Sequence, residues 1–380
     1  MTIVYCIDSY GSGGVEQITV FKANALAEIP GNRVWIVYTD LPWEGGFHFP
    51  SDKIHLLDLE VRYRDNHFRF PWNLFRFYCD NKKHKKRLAH ALKEINPDVV
   101  ISTGQREIYF LHSIKGEWAT LREQHVSKGT RLLRARSFRD KVMAHFLEWA
   151  EFRNPLTKYS RFVVLTSFEK EVAWGNDPRV IVIPNPIRFT HRCVSLLDSK
   201  KLIAVGRLES GKNYSSLIRA FASIADDFPD WTLSIVGEGT ERSILLSLID
   251  NLKLSDRVFL SGFTSDIETS LANASIFVHT SLYETFGMSI LEAMECGLPV
   301  VVYDCPYGPR SIIDDGDNGF LIPVGREDAF ADAMASLMQS ESLRRKIGAS
   351  ASAKAKEFDI EYITERWMAL FHQVIDERKK

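Results

Sequence analysis

The stretch Ser281-Leu282-Tyr283-Glu284-Thr285-Phe286-Gly287-Met288-Ser289-Ile290-Leu291-Glu292-Ala293-Met294 decides how this chain is built. Before it stands Ala274-Ser275-Ile276-Phe277-Val278-His279, apolar, β-branched and short enough for a buried strand. Within it Met288, Ile290, Leu291, Ala293 and Met294 take helical spacing, and Gly297-Leu298-Pro299 stops the helix. A helix opening at Phe286-Gly287 directs free backbone N–H groups and its positive dipole end above the sheet, where a phosphate can sit. Glu284 precedes that opening, and Glu292 lies about two turns further on, roughly 8–10 Å down the helix. That is the reach from a phosphate to a ribose, so the two glutamates can address opposite ends of a nucleotide sugar.

The same alternation of strand and helix runs outward in both directions. Strands are predicted at 2–8, 33–39, 98–102, 118–123, 161–166 and 180–184, then at 201–206, 231–236, 257–261, 274–279, 299–303 and 319–322. Helices are predicted at 14–28, 72–95, 139–152 and 167–175, then at 213–227, 240–251, 287–296, 327–338 and 341–357. This pattern reads as α/β with parallel sheets. A length of 380 residues suits two domains of roughly 180 each. Pro184-Asn185-Pro186-Ile187-Arg188-Phe189 and the polar stretch to Lys200 form the linker, which puts the domains at 1–186 and 187–359. A last helix near 360–377 carries Ile363, Trp367, Leu370, Phe371 and Val374 on one stripe. It can pack on its own domain or, with the tail to 380, return to the first.

The chemistry concentrates where predicted strands end. Arg207 closes one strand and Lys212 opens the next helix, so both project from the carboxyl edge of the second sheet, where ligands of open α/β sheets bind. Fixed cations there can stabilise a departing diphosphate without a metal. Alternatively the two are surface residues near a turn, Glu284 is a helix-dipole partner, and Glu292 faces the core paired with an arginine. In the first half, Gly11-Ser12-Gly13-Gly14 follows a strand and lets backbone approach a ligand closely. A nicotinamide site with Asp40 as its ribose acid is the rival reading. The glycines are not spaced G-x-G-x-x-G, and Asp40 lies further on than the usual ~20 residues.

The Glu284/Glu292 pair resembles the Glu-x7-Glu signature of the retaining glycosyltransferases of family 4. Leu202-Ile203-Ala204-Val205-Gly206-Arg207-Leu208-Glu209-Ser210-Gly211-Lys212-Asn213 is similar to the family's Gly-Arg-Leu…Lys-Asn element. Ile235-Val236-Gly237-Glu238-Gly239, Val258-Phe259-Leu260-Ser261-Gly262-Phe263, Gly297-Leu298-Pro299-Val300-Val301 and Asp314-Asp315-Gly316-Asp317-Asn318-Gly319-Phe320-Leu321 follow in the family's order. The first half is similar only through Gly13-Gly14-Val15-Glu16 and Ile183-Pro184-Asn185-Pro186. The resemblance implies the GT-B fold, two Rossmann-like doubly wound parallel-sheet domains facing a central cleft, with the final helix crossing back onto the first.

It also implies roles. Arg207 and Lys212 contact the donor diphosphate, Glu292 the ribose, and Glu284 lies beside the donor sugar. Backbone N–H groups at Phe286, Gly287 and Met288 hold sugar hydroxyls and phosphate, and Phe263 joins the substrate-binding set. Gly13 and Gly14 face the donor diphosphate or the acceptor. His125 touches the donor sugar, with Glu123 as the alternative. Ser311 stands where the family commonly has an acid, which bears on donor identity. The implied reaction is metal-independent, retaining transfer of a hexose or N-acetylhexosamine from a nucleotide sugar, UDP first, to a saccharide acceptor, often lipid-linked, in surface polysaccharide synthesis. No cofactor beyond the nucleotide sugar and no nucleic-acid partner is expected. A nucleotide-sugar-binding protein without turnover is the second reading.

Composition is that of an ordinary globular protein, 45% hydrophobic and 26% charged. No run approaches the roughly 20 apolar residues of a membrane span, and the start reads as a strand, not a signal peptide. Cysteines 6, 79, 193, 296 and 305 are scattered without zinc spacing, as expected of reduced thiols in the cytoplasm. Residues 1–190 hold 28 lysines and arginines against 21 acids, a charge of +7, and the remainder 20 against 28, or −8. The excess collects in Lys82-Lys83-His84-Lys85-Lys86-Arg87 and in Lys128, Arg131, Arg134, Arg136, Arg139 and Lys141, interleaved with Phe68, Phe70, Trp72, Phe75, Phe77, Tyr78, Leu132, Leu133 and Phe138. Such a face suits anionic lipid head groups on the inner face of the cell membrane, or else it is a solvated helix surface with its apolar side in the core.

Overall fold

The computed structural model describes residues 1–9, 14–40, 49–63, 74–104, 106–135, 137–149, 158–188 and 194–379. The chain divides into two compact units, Met1–Pro186 with Ile360–Lys380, and Ile187–Asp359.

In the first unit β1 (Thr2–Ile7), β2 (Arg33–Tyr38), β3 (Ile54–Asp58), β4 (Val99–Ser102), β5 (Ala119–Glu123), β6 (Arg161–Val164) and β7 (Val180–Val182) form one sheet, parallel in every pairing. Its helices are α1 (Gly14–Glu28), α2 (Leu74–Ile95), α3 (Thr130–Arg134), α4 (Phe138–Glu148) and α5 (Ser167–Trp174). After Thr2, β1 is apolar and buried, as befits a strand with helices on both faces. Val4 and Cys6 point to the side of Leu88 and Leu92 on α2, while Ile3, Tyr5 and Ile7 point to Val20, Ala23 and Leu26 on α1. The strand order is β3-β2-β1-β4-β5-β6-β7, so the winding reverses between β1 and β4.

The second unit repeats the plan with β8 (Lys201–Val205), β9 (Thr232–Val236), β10 (Val258–Gly262), β11 (Ile276–His279), β12 (Val300–Asp304) and β13 (Phe320–Pro323). Its helices are α6 (Tyr214–Ala222), α7 (Arg242–Asn251), α8 (Ile267–Ala272), α9 (Met288–Glu295), α10 (Glu327–Gln339) and α11 (Glu341–Ala355). The order β10-β9-β8-β11-β12-β13 reverses between β8 and β11. In open sheets of this kind a ligand sits beyond the carboxyl ends of the strands at such a reversal. The two places to look are therefore the ends of β1/β4 and of β8/β11.

The final helix, α12 (Ile360–Lys379), belongs to the first unit. Ile363, Trp367, Leu370, Phe371 and Val374 are buried there with Ile3, Tyr5 and the apolar side of α1. Every predicted strand is present, with ends shifted by a few residues. β3, α3 and α8 are additional. β3 is an edge strand whose His55 and Leu56 are exposed, so it lacks the apolar run that marks a central strand. The helix predicted at 139–152 is α4, and residues 150–157 lie outside the described residues. Among the described residues no helix is long and apolar enough to cross a membrane. The cysteines described, Cys6, Cys79, Cys296 and Cys305, are free thiols, and Cys193 lies outside the described residues.

Candidate active site

At the end of β8 the backbone turns through Gly206, with φ of +154°. A Cβ there would stand 2.8 Å from the Tyr214 hydroxyl and 3.3 Å from Lys212 Cε, so the bare position lets the lysine side chain lie across it. Lys212 ends a single turn, Ser210–Lys212, ahead of α6. Leu282 N–H donates to Gly211 O (2.9 Å), and the Thr280 hydroxyl donates to Lys212 O (3.1 Å) and Asn213 O (3.2 Å). These bonds tie the segment after β11 to the turn after β8, as neighbouring parallel strands require. The result is a cluster. Lys212 Nζ is ion-paired with Glu284 Oε1, and His279 Nε2 lies 3.0 Å from the same oxygen.

Burial alone would raise the Glu284 pKa, but Lys212 and His279 outweigh it and hold the carboxylate well below its usual range. His279 is pushed down, chiefly by its own burial, against the pull of Glu284. Glu284 is thus an anion at any physiological pH, neutralised by one lysine. Beyond it Gly287 takes φ of +100° and opens α9. The first bonds of that helix run from Ile290 and Leu291 N–H to Gly287 O (3.0 and 3.2 Å), which puts the N–H groups of Met288 and Ser289 at its open end. The Phe286 ring is buried against Phe358, 5.7 Å between centroids.

The segment that carries Ser311 completes this corner, in a packing role that the sequence did not indicate. Glu284 forms a parallel bridge with Tyr307, and Gly308 N–H donates to Glu284 O at 3.0 Å. A Cβ on Gly308 would come within 2.5 Å of Phe286 O, and Tyr307 itself adopts φ of +77°. Proximity of chain 304–308 thus holds the glutamate loop in place. Ser311 follows in a short turn and donates its hydroxyl to Tyr307 O (3.4 Å).

The other predicted residues of this unit are placed differently. Arg207 is 75% exposed and paired with Glu209 at 2.7 Å, two residues on, and is not part of the Lys212–Glu284 pair. Glu292 is buried on α9 and paired with Arg188, the arginine partner weighed above as the structural alternative. Phe263 is 68% exposed just after Gly262, at the end of β10.

In the first unit the end of β1/β4 opens a pocket of about 60 Å³, lined among others by Asp8, Glu16, Gly104, Gln124 and His125. Glu123 Oε1 stands between Lys22 Nζ and His125 Nε2, the latter at 3.2 Å. Burial opposes the Glu123 charge, yet Lys22 and His125 pull its pKa down to about 2. Lys22 is itself buried under the Trp367 ring of α12, 5.1 Å from the centroid. Glu107, buried beside Asp8, accepts from Ser102 Oγ (2.8 Å) and Gly104 N–H (3.0 Å); burial first and then Asp8 push it up to about 7. Asp40 is taken up by Arg106 at 2.5 Å and by Tyr63 N–H at 3.1 Å, an internal tie rather than an open ribose acid. Gly14 starts α1, and Gly13 lies outside the described residues.

The basic run 82–87 lies on α2. Lys83 and Arg87 donate to the carbonyls of residues 59–61, and His84 is buried against Phe110 at 4.9 Å. Phe68, Phe70, Trp72 and Arg136 lie outside the described residues. No group of three or more His, Cys, Asp or Glu among the described residues could hold a metal ion.

Residues 191–354 match the family model described as glycosyl transferases group 1. The second unit is a group 1 glycosyl transferase domain. An exopolysaccharide phosphotransferase of Streptomyces coelicolor is 35% identical over 223 residues, 57% of this chain and 24% of that protein. An uncharacterized glycosyltransferase of Haemophilus influenzae is 25% identical over 97% of this chain and 99% of its own. A diphospho-undecaprenol-linked-sugar 4-alpha-N-acetylgalactosaminyltransferase of Campylobacter jejuni is 33% identical over 43% of this chain and 44% of its own. The chain therefore spans about a quarter of the first of these and under half of the third.

Among solved structures, sucrose-phosphate synthase of Thermosynechococcus elongatus superposes with a TM-score of 0.79 at 18% identity, covering 99% of this chain and all of that one. Staphylococcus aureus TarM, solved with UDP, Fondaparinux and alpha-GlcNAc-glycerol, gives 0.75 at 16% identity over 97% and 99%. The fold of the group 1 glycosyl transferase domain and its partner unit is thus the paired Rossmann-like architecture called GT-B.

Proposed function

We propose that the protein is a retaining glycosyltransferase that moves a hexose or N-acetylhexosamine from a nucleotide sugar, UDP first, to a saccharide acceptor. The observation that carries this is the Lys212–Glu284–His279 cluster at the β8/β11 reversal, next to the open N-terminus of α9. In this reading Lys212 and the α9 N–H groups receive the diphosphate, and Arg207, released from Glu209, adds a second cation. Glu284 both orders Lys212 and accepts from a donor-sugar hydroxyl. The bond from the anomeric carbon to the phosphate oxygen breaks with its electrons passing to the diphosphate. The acceptor hydroxyl attacks the same face and yields its proton to a phosphate oxygen of the donor.

No step of this scheme calls for a metal, so activity is expected to persist in EDTA. Gln124, His125 and Asp8 at the first unit's pocket are assigned to sugar hydroxyls. The decisive experiment measures transfer from UDP-, GDP- and ADP-sugars by wild type, Glu292→Ala and Arg207→Ala, with folding checked by thermal melts. Full activity in both variants sinks the assignment. Donor binding without transfer to any saccharide acceptor favours the reading as a binding protein.

A lipid-linked acceptor at an anionic membrane surface belongs to the same reading, and α4 supports it better than α2. Phe138, Val142, Phe146 and Trp149 share one side of α4, and all are exposed, Phe138 at 82%. Ala144 and Glu148 take the inward side, and Arg139, Lys141 and His145 flank the apolar face. An outward apolar face edged by cations is the interfacial arrangement. Val142→Ser/Phe146→Ser should lower binding to phosphatidylglycerol vesicles at least tenfold. Neutralising Lys82, Lys83, Lys85 and Lys86 should matter less. Unchanged vesicle binding in the serine variant removes α4 from the account.

A further inference from the structure

Glu292 is the carboxylate that the reading above gives to the ribose, and it is not alone. Arg188, the second residue of the second unit, places Nε 3.0 Å from Glu292 Oε1 and a terminal nitrogen on that same oxygen. An arginine usually meets a carboxylate fork to fork, one N–H on each oxygen. Here both grips fall on Oε1, and Oε2 receives neither. Glu292 is only 4% exposed, so a counter-charge is what keeps an ionised carboxylate tolerable at that depth. The helix holds its backbone, with Cys296 N–H on Glu292 O at 3.3 Å. Arg188 holds its side chain from a different part of the chain, 104 residues away.

We propose that Arg188 is a positioning residue for nucleoside recognition: by pinning Oε1 it aims Oε2 of Glu292 at a ribose hydroxyl and so sets the preference for ribonucleotides. The inference rests on Glu292 being the ribose carboxylate. A buried charged acceptor that loses its donor hydroxyl is left unpaired, which is how a site rejects an analogue lacking that group. A merely structural ion pair would hold α9 in place and leave that preference untouched.

The test is calorimetric titration of the full chain with UDP, 2′-deoxy-UDP and 3′-deoxy-UDP. Wild type should bind UDP roughly 10- to 100-fold more tightly than the weaker deoxy analogue. Arg188→Gln should bring that ratio below about threefold, mainly by weakening UDP while the deoxy affinity holds. Arg188→Lys keeps the counter-charge but not the double grip, and should fall between. It also serves if the glutamine variant does not fold, and a wild-type ratio in the lysine variant then overturns the proposal. Glu292→Gln separates the two levels of the argument. A wild-type ratio in that variant overturns the ribose reading and this proposal with it. Collapse in Glu292→Gln with a wild-type ratio in Arg188→Gln overturns this proposal alone. Tighter UDP binding by Arg188→Gln would make the arginine a competitor for Glu292, and also overturns it. Absence of UDP binding by wild type would overturn both.

Discussion

Each unit carries a lysine, a glutamate and a histidine near the carboxyl edge of its sheet, arranged in opposite order. In the second unit His279 lies deepest, while Lys212 and Glu284 reach partway to solvent. In the first unit Lys22 and Glu123 are sealed in and His125 stands on the pocket wall. Both glutamates offer one oxygen to an ammonium and an imidazole, yet one cluster presents an ion pair and the other presents a ring. On the proposed function, the difference follows from what each would meet. A cation that is to receive a diphosphate stays near water so that the ligand can replace its hydration. A cation that only holds a neighbour can be buried, provided its partner is buried with it.

This contrast can be broken, and the sharpest blow falls on turnover. Lys212→Met should reduce kcat by about 10²- to 10³-fold, with a smaller loss in urea unfolding than the buried pair of the first unit gives, since this pair is partly solvated. Next in size, Lys22→Met leaves Glu123 charged and buried without its partner, and should cost about 3–5 kcal/mol in urea unfolding. Lys22→Met/Glu123→Leu should recover much of that loss. A stable single variant, or no recovery in the double one, would make the two clusters alike.

Gly206→Ala is a smaller intervention on the second cluster. The added carbon crowds Lys212 and Tyr214 at an unfavourable φ, and roughly tenfold lower kcat with an intact fold is expected. An unaltered kcat would mean that the lysine's path over Gly206 is immaterial. The mildest test is of pH in the first unit. Glu107 sits near 7 when folded against an ordinary 4.5, so the native state holds its proton more tightly. Its contribution is present in full below about pH 4.5 and is lost as pH rises through about 7. Glu107→Gln should therefore gain thermal stability relative to wild type between pH 5 and pH 8. A pH-independent difference would remove Glu107 from the pocket's electrostatics.

The second unit was far more legible than the first. Its strands are short apolar runs, β8, β9 and β10 ending at glycines, and charged residues stand near the strand ends, so Lys212 and Glu284 could be picked out by position. Their meeting was foreseeable because β8 and β11 are neighbours. Arg207 shows the limit of that logic. It occupies a strand end like the others, but its ion-pair partner is Glu209, two residues away, and its side chain is largely exposed. The block around Tyr307-Gly308 drew attention only for Ser311; its packing role depends on a backbone pairing with Glu284 across 23 residues of chain. On α2, a run of six basic residues looks like one positive surface, whereas helical periodicity buries His84 and turns Lys83 and Arg87 onto carbonyls.

What the amino-acid order determined unaided was the βα alternation, the division near Pro186, and the candidate phosphate corner, because periodicity, strand-ending glycines and helix breakers act over a few neighbouring residues. What only the tertiary structure decided was the pairing of groups distant in the chain: Lys22 with Glu123, Arg188 with Glu292, Trp367 over Lys22. A buried charge takes as its partner whichever opposite charge the sheet order brings beside it, and that choice leaves no mark on the local sequence.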